Sequence, residues 1–228
     1  MNFKDCIDSY PFILMEGALG ERLKREFDLD ISGTVAMADL IYQQKGRMAL
    51  KTLWNEYMDI AHRYQLPFLA TTPTRRANKE RVYMAGYNES IITDNVDFLR
   101  TIKETANVNM YIGGLMGCKG DAYTSERALN QEEAIAFHSW QASLFKSVGV
   151  DFLYAGIMPV LSEAIGMAVA MSDTDIPYII SFTIQRNGKL IDGHTINDAI
   201  YYIDNHVSNK PVCYMTNCVH PDIVYEAL

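Results

Sequence analysis

Short apolar runs recur along the chain, each followed by a longer stretch in which apolar residues return every three or four positions. The runs are PFILME (11–16), PFLATT (67–72), VNMYIGG (108–114), DFLYAG (151–156), PYIISFT (177–183) and PVCYMTN (211–217). Between them, helical spacing marks 48–65, 89–106, 130–149, 161–173 and 195–207, several opened by a Ser, Asn, Asp or Thr suited to cap a helix. The strand runs are apolar on both faces, as parallel strands covered by helices are. Strand and helix in alternation predict an α/β fold with a parallel sheet.

Two parallel architectures compete. A dinucleotide-binding open sheet announces itself with Gly-x-Gly-x-x-Gly after its first strand, and MEGALGERL has only Gly17 and Gly20. Small or polar residues instead close every strand run: Glu16-Gly17, Thr71-Thr72, Gly113-Gly114, Gly156, Ser181 with Thr183, and Asn217-Cys218. In a barrel those ends converge on one mouth, where sites are built. The expectation is a TIM-type (β/α)8 barrel of which about six βα units are present, so that 1–228 is a single, incomplete barrel domain; either the chain is a fragment, or its sheet is completed or left open in some other way.

Composition narrows the function. A net charge of −8 repels a polyphosphate backbone, and the one basic cluster, TRRANKER, is brief and lacks interleaved aromatics, which argues against nucleic acid as a partner. Charges interrupt the N-terminus where a signal peptide needs an apolar core, and no apolar run reaches membrane-span length. Four widely and irregularly spaced cysteines are not the framework of a small secreted domain. A cytoplasmic protein with reduced thiols is expected.

Cys218 is the first candidate for chemistry. A cysteine often packs as a small buried apolar group, and Cys213 suits that reading. Cys218, at the end of the last run and before a helix-starting HPD, stands where a thiolate could bind metal. Zinc needs three protein ligands when catalytic and four when structural. Cys118 and His220 could reach the same mouth, but no Cys-x-x-Cys or His-x-x-x-His spacing supports them, and the remaining histidines read as helix-face or loop residues. No nucleophile elbow or P-loop is present. Glu16 either accepts hydrogen bonds from a small substrate, with Gly17 letting the backbone approach, or neutralises the start of the following helix.

Taken in order, these segments resemble the homocysteine S-methyltransferase family, zinc-dependent thiol methyltransferase barrels that include betaine–homocysteine methyltransferase and the homocysteine-binding part of methionine synthase. LMEGALGERL is similar to the family's opening strand and turn, TTPTRRAN to its second-strand Thr-x-Thr segment, and GGLMGCKGDAYT to the Gly-rich end of strand three. FHSWQASLFKSVGVDFLYAGIMPVLSEA follows its Phe-His, Gly-x-Asp and Pro-x-x-x-Glu-Ala landmarks, ISFTIQRNGKLIDGHTINDAI its Ser-Phe-Thr strand and Leu-x-Asp-Gly turn, and TNCVHPDIV its Asn-Cys-x-x-Pro segment.

The resemblance implies methyl transfer to the thiol of homocysteine or a related small thiol, giving methionine. It implies zinc as cofactor with Cys218 as its first ligand, Glu16, Gly17 and Asn217 at the substrate, and a small thiol amino acid and a methyl donor as partners. Three positions depart from the pattern. The Gly-Gly-Cys-Cys segment with the other two zinc ligands is not in the chain, the strand-four Glu falls on Gly156, and the first-strand Asp is Glu16. A metal-free, non-methylating relative that binds a small molecule is the competing expectation. Were 228 residues the whole product, open sheet edges would suggest a third, an interaction protein.

Overall fold

The computed structural model describes all 228 residues, Met1–Leu228. Its strands are β1 (Leu14–Met15), β2 (Phe68–Thr71), β3 (Met110–Gly117), β4 (Phe152–Met158), β5 (Tyr178–Phe182) and β6 (Cys213–Thr216). Its helices are α1 (Phe3–Ser9), α2 (Leu19–Phe27), α3 (Gln44–Arg63), α4 (Lys79–Met84), α5 (Ser90–Lys103), α6 (Gln131–Val148), α7 (Leu161–Ser172), α8 (Ile196–His206) and α9 (Pro221–Ala227). The strands lie in chain order in one sheet. The pairs β1–β2, β2–β3, β4–β5 and β5–β6 are parallel. Six strands alternating with helices are the βα units of a TIM-type fold, and no helix is long and apolar enough to cross a membrane.

The chain divides into two compact units, Met1–Gly114 with Val148–Phe152, and Leu115–Ser147 with Leu153–Leu228. In the first, the long helix α3 turns Leu50, Leu53 and Trp54 fully inward, and Phe68 of β2 and Leu99 of α5 are equally closed off from solvent. Each such side chain contributes about 1.5–3 kcal/mol relative to an exposed one. Strand β1 is far shorter than its six-residue apolar run. It pairs only with β2, Leu14 opposite Phe68 and Met15 opposite Leu69, while Phe12 of the same run is exposed. The short helix α1 is capped by Asn2, whose Oδ1 accepts the Asp5 N–H at 2.9 Å, and its Phe3 ring stacks on Phe152 at 4.5 Å.

In the second unit, α7 is buried along almost its whole length, which its run of Ala, Gly and Met permits. A Cβ on Gly166 would lie 2.5 Å from Ala134 Cβ and 2.6 Å from the Gln131 carbonyl, so the bare glycine lets α7 lie directly against the start of α6. Helix α8 opens with a capping box between Thr195 and Asp198. Helix α9 has His220 as N-cap and Pro221 in its first turn, the order in which Pro is tolerated in helices.

Candidate functional site

The small and polar residues that close the strand runs are held in place by named partners at the C-terminal strand ends. In the first unit Glu16 follows β1 directly. Its two carboxylate oxygens each accept the Thr71 N–H at 2.9 Å, one also takes the Thr71 hydroxyl, and the other takes Trp54 Nε1 at 2.9 Å. Glu16 therefore ties β1 to the end of β2 and to α3. It does not cap the next helix, because α2 begins after Ala18 with no side-chain cap. Some of the residue still reaches solvent, but the carboxyl group is enclosed. Burial pushes it up to about 7, with the Thr71 and Trp54 donors pulling partly the other way. Gly17 is exposed, and a Cβ there would sit 3.0 Å from the Tyr57 hydroxyl oxygen.

In the second unit Asn217 and Cys218 follow β6. The Asn217 side-chain oxygen takes the Tyr154 hydroxyl at 2.7 Å and the Ser181 hydroxyl, which anchors it to β4 and β5 and leaves its amide nitrogen uncommitted. Cys218 is exposed, has a left-handed backbone with φ of 58°, and lies 3.2 Å through its Sγ from the Tyr123 hydroxyl. The other cysteines differ. Cys213 is half-buried in β6 with its thiol on the Tyr214 carbonyl at 3.3 Å, and burial pushes that thiol up. Cys118 is buried, and the ring of His220 accepts the Asp222 N–H at the start of α9.

The segment between β3 and α6 that carries Tyr123 is held from inside. Glu163, in the first turn of α7, accepts the Lys119 N–H at 2.7 Å and the Leu129 N–H at 3.4 Å, so one carboxylate grips both ends of this segment. His138 of α6 adds a contact at 3.1 Å, and both side chains are only 1% exposed. Burial holds the His138 ring below its usual value, opposed by the Glu163 carboxylate, so the neutral ring donates from Nε2. The Leu-x-Asp-Gly turn contributes as well, since Asp192 accepts the Leu161 N–H at 2.6 Å and caps α7.

Gly156 stands where the family pattern has a carboxylate, and a side chain there would have to move the end of Leu115 aside. A Cβ would meet Leu115 Cδ1 at 2.8 Å. Next to it, Ile157 adopts φ of 62°, a left-handed conformation rare for a β-branched residue, where the β4–β5 register shifts between Ala155 and Met158. Such strain costs of order 1–3 kcal/mol and concentrates at working strand ends.

No group of three or more His, Cys, Asp or Glu side chains is placed to hold a metal ion. Cys118 and His220 thus do not complete a ligand set with Cys218. Sequence reasoning missed Trp54, Tyr123 and Tyr154 as partners of the strand-end residues, and His138 as the partner of Glu163. His138 and Glu163 lay in the Phe-His and Pro-x-x-x-Glu-Ala landmarks, whereas nothing in the local pattern marked Tyr123.

The family model described as homocysteine S-methyltransferase matches residues 13–228. A curated relative, homocysteine S-methyltransferase YbgG of Bacillus subtilis, is 21% identical over 217 residues, covering 88% of this chain and 67% of that protein. Among solved structures, the metallated form of the Escherichia coli homocysteine methyltransferase MmuM superposes with a TM-score of 0.78 at 18% identity, over 97% of this chain and 79% of that one. Its oxidised form gives 0.79, with 78% of that chain covered.

Proposed function

We propose, for a chain that belongs to the homocysteine S-methyltransferase family, that it transfers a methyl group to the sulfur of a small thiol amino acid, homocysteine giving methionine. The match of the family model over nearly the whole chain carries this reading. The exposed Cys218 and the anchored Asn217 at the end of β6 support it locally.

In such a transfer the acceptor sulfur forms the new S–C bond, the bond from the methyl carbon to the donor heteroatom breaks, and that electron pair leaves with the donor. The thiol proton goes to water. A sulfhydryl with an ordinary pKa of ~8.5 is mostly protonated at neutral pH, and the thiolate is the better nucleophile. Asn217, with its amide nitrogen free, is assigned to the amino-acid part of the substrate, and Glu16 and Gly17 to substrate contact at the end of β1. Glu16 does this as a group already committed to Thr71 and Trp54, so its main contribution is to fix the strand end. Zinc, which would stabilise the thiolate, does not fit the residues present. A catalytic zinc takes three protein ligands, and Cys218 is a single arm.

That mismatch, together with a glycine at 156 where the family pattern has a carboxylate, favours a second reading, a relative that binds a small thiol without methylating it. Both readings place the protein in the cytoplasm, where thiols stay reduced. Titration calorimetry with homocysteine and with homoserine, its oxygen analogue, tests what they share. Preference for homocysteine of 10-fold or more is expected, with loss of part of it in Cys218→Ser. Equal binding of the two, or none of either, would refute both. Formation of methionine separates the first reading from the second.

A further inference from the structure

Beyond β2 the chain makes a tight turn, closed by the Ala77 N–H on the Thr74 carbonyl at 2.8 Å, with Arg75 and Arg76 at its two central positions. The turn is fixed on both sides. Thr72, Thr74, Ala77 and Asn78 are buried, the Thr72 and Thr74 hydroxyls lie 2.7 Å apart, and Asn78 caps α4. Both arginines are half-buried.

The other arginines have an evident use or stand in water. Arg22 pairs with Glu26 and Glu56, Arg25 with Glu21, and Arg100 with Asp97. Arg47 and Arg81 donate to the Ile41 and Thr34 carbonyls. Arg63, Arg127 and Arg186 are exposed. Only Arg75 and Arg76 combine partial withdrawal from water with no acidic or carbonyl partner, although the chain carries 28 acidic residues against 20 basic ones. Two arginines adjacent in the chain on a fixed turn concentrate positive charge there with nothing acidic beside it, and an anion bound by their guanidinium groups offsets that charge. The planar fork of Arg matches a carboxylate in two parallel hydrogen bonds. The turn also lies past the C-terminal end of β2, the strand whose Thr71 holds Glu16, at the end of the strands where folds of this kind build their sites.

We infer that the Thr74–Ala77 turn is a carboxylate-binding site, with Arg75 and Arg76 taking the carboxylate of a small substrate. The inference rests on the reading of the chain as one that handles a small thiol and a methyl donor, either of which can supply the carboxylate.

The test measures binding to the full chain by calorimetry for two ligand pairs. Homocysteine is set against 3-aminopropane-1-thiol, the same thiol without its carboxylate, and dimethylsulfonioacetate against trimethylsulfonium. At least one pair should show a 10-fold or greater preference for the carboxylate-bearing member, and that pair identifies the substrate concerned. In the double variant Arg75→Gln, Arg76→Gln the preference should fall below 3-fold, and Arg75→Lys, Arg76→Lys should recover part of it, because charge returns without the fork. The melting temperature of the Gln variant without ligand should stay at or above that of the wild type, since two unpaired charges have been removed. A preference that survives in the Gln variant, or its absence from both pairs while the ligands bind, would overturn the inference. If no thiol or sulfonium binds, thermal shifts with succinate against chloride at equal ionic strength decide. Stabilisation of the wild type but not of the Gln variant keeps the anion site and removes the methyl-transfer reading. No stabilisation by succinate removes both.

Discussion

Glu16 should make the stability of this protein fall as the pH rises through neutrality. Burial moves its carboxyl from the ordinary 4.5 to about 7, so between those values the folded state holds a proton that the unfolded chain has already released. The stabilisation from that proton is complete below about 4.5 and is lost as the pH passes 7. A displacement of this size corresponds to about 3 kcal/mol, and because the residue keeps some contact with water the working expectation is about 2 kcal/mol. Glu16→Gln carries no titrating group and isolates the effect. Urea unfolding of wild type and variant at pH 5, 6, 7 and 8 should show the wild type losing about 2 kcal/mol relative to the variant across the series, most of it between pH 5 and 7, with the difference levelling off above pH 7. His138, whose ring is held below its usual value, acts with the opposite sign and is present in both proteins, so it cancels in the difference. A difference between the two proteins that stays constant across the series would mean that the Thr71 and Trp54 hydrogen bonds fully offset burial, and the account of Glu16 would fail.

Three further outcomes are expected. Glu163→Gln sets an amide N–H₂ against the N–H of Lys119, that of Leu129 or the His138 ring, and should cost about 1–3 kcal/mol, with hydrogen exchange rising first between Lys119 and Leu129; unchanged exchange there would contradict its gripping role. Gly166→Ala drives a methyl group into Ala134 and the Gln131 carbonyl and should cost about 1–3 kcal/mol in denaturant unfolding, whereas a neutral result would mean that α6 and α7 can slide apart freely. Gly156→Glu should destabilise by a similar amount, and Leu115→Ala in the same chain should recover part of the loss if Leu115 Cδ1 is the group in the way.

The alternation of apolar runs and helical spacing located all the strands and the five longer segments between them, because parallel strands leave an unbroken apolar trace, most completely where β2 to β5 are buried on both faces. The 48–65 segment corresponds to α3 at Gln44–Arg63, and 195–207 to α8 at Ile196–His206. Short elements were less legible. Helices α1 and α4 have seven and six residues, too few turns to impose a period, and their stability comes from Asn caps and from packing. Strand β1 shrank to two residues because pairing on one side alone does not reward a longer strand. At the site, the positions of Glu16, Asn217 and Cys218 at strand ends could be read from the runs themselves. Their partners could not, since Trp54 lies 38 residues from Glu16, Tyr123 lies 95 from Cys218, and Glu163 lies 44 from Lys119. Contacts at such separations are made by the fold and leave no local spacing. The absence of the strand-four carboxylate was visible as Gly156, but that the end of the Leu115 side chain borders this position was not.

The central claim is that this chain moves a methyl group onto the sulfur of a small thiol. Mass spectrometry of homocysteine incubated with the protein and a deuteromethyl sulfonium donor tests it directly. The account predicts methionine three mass units heavier than the unlabelled product. Homocysteine that saturates the protein yet acquires no label, from sulfonium, ammonium or folate donors alike, would contradict it.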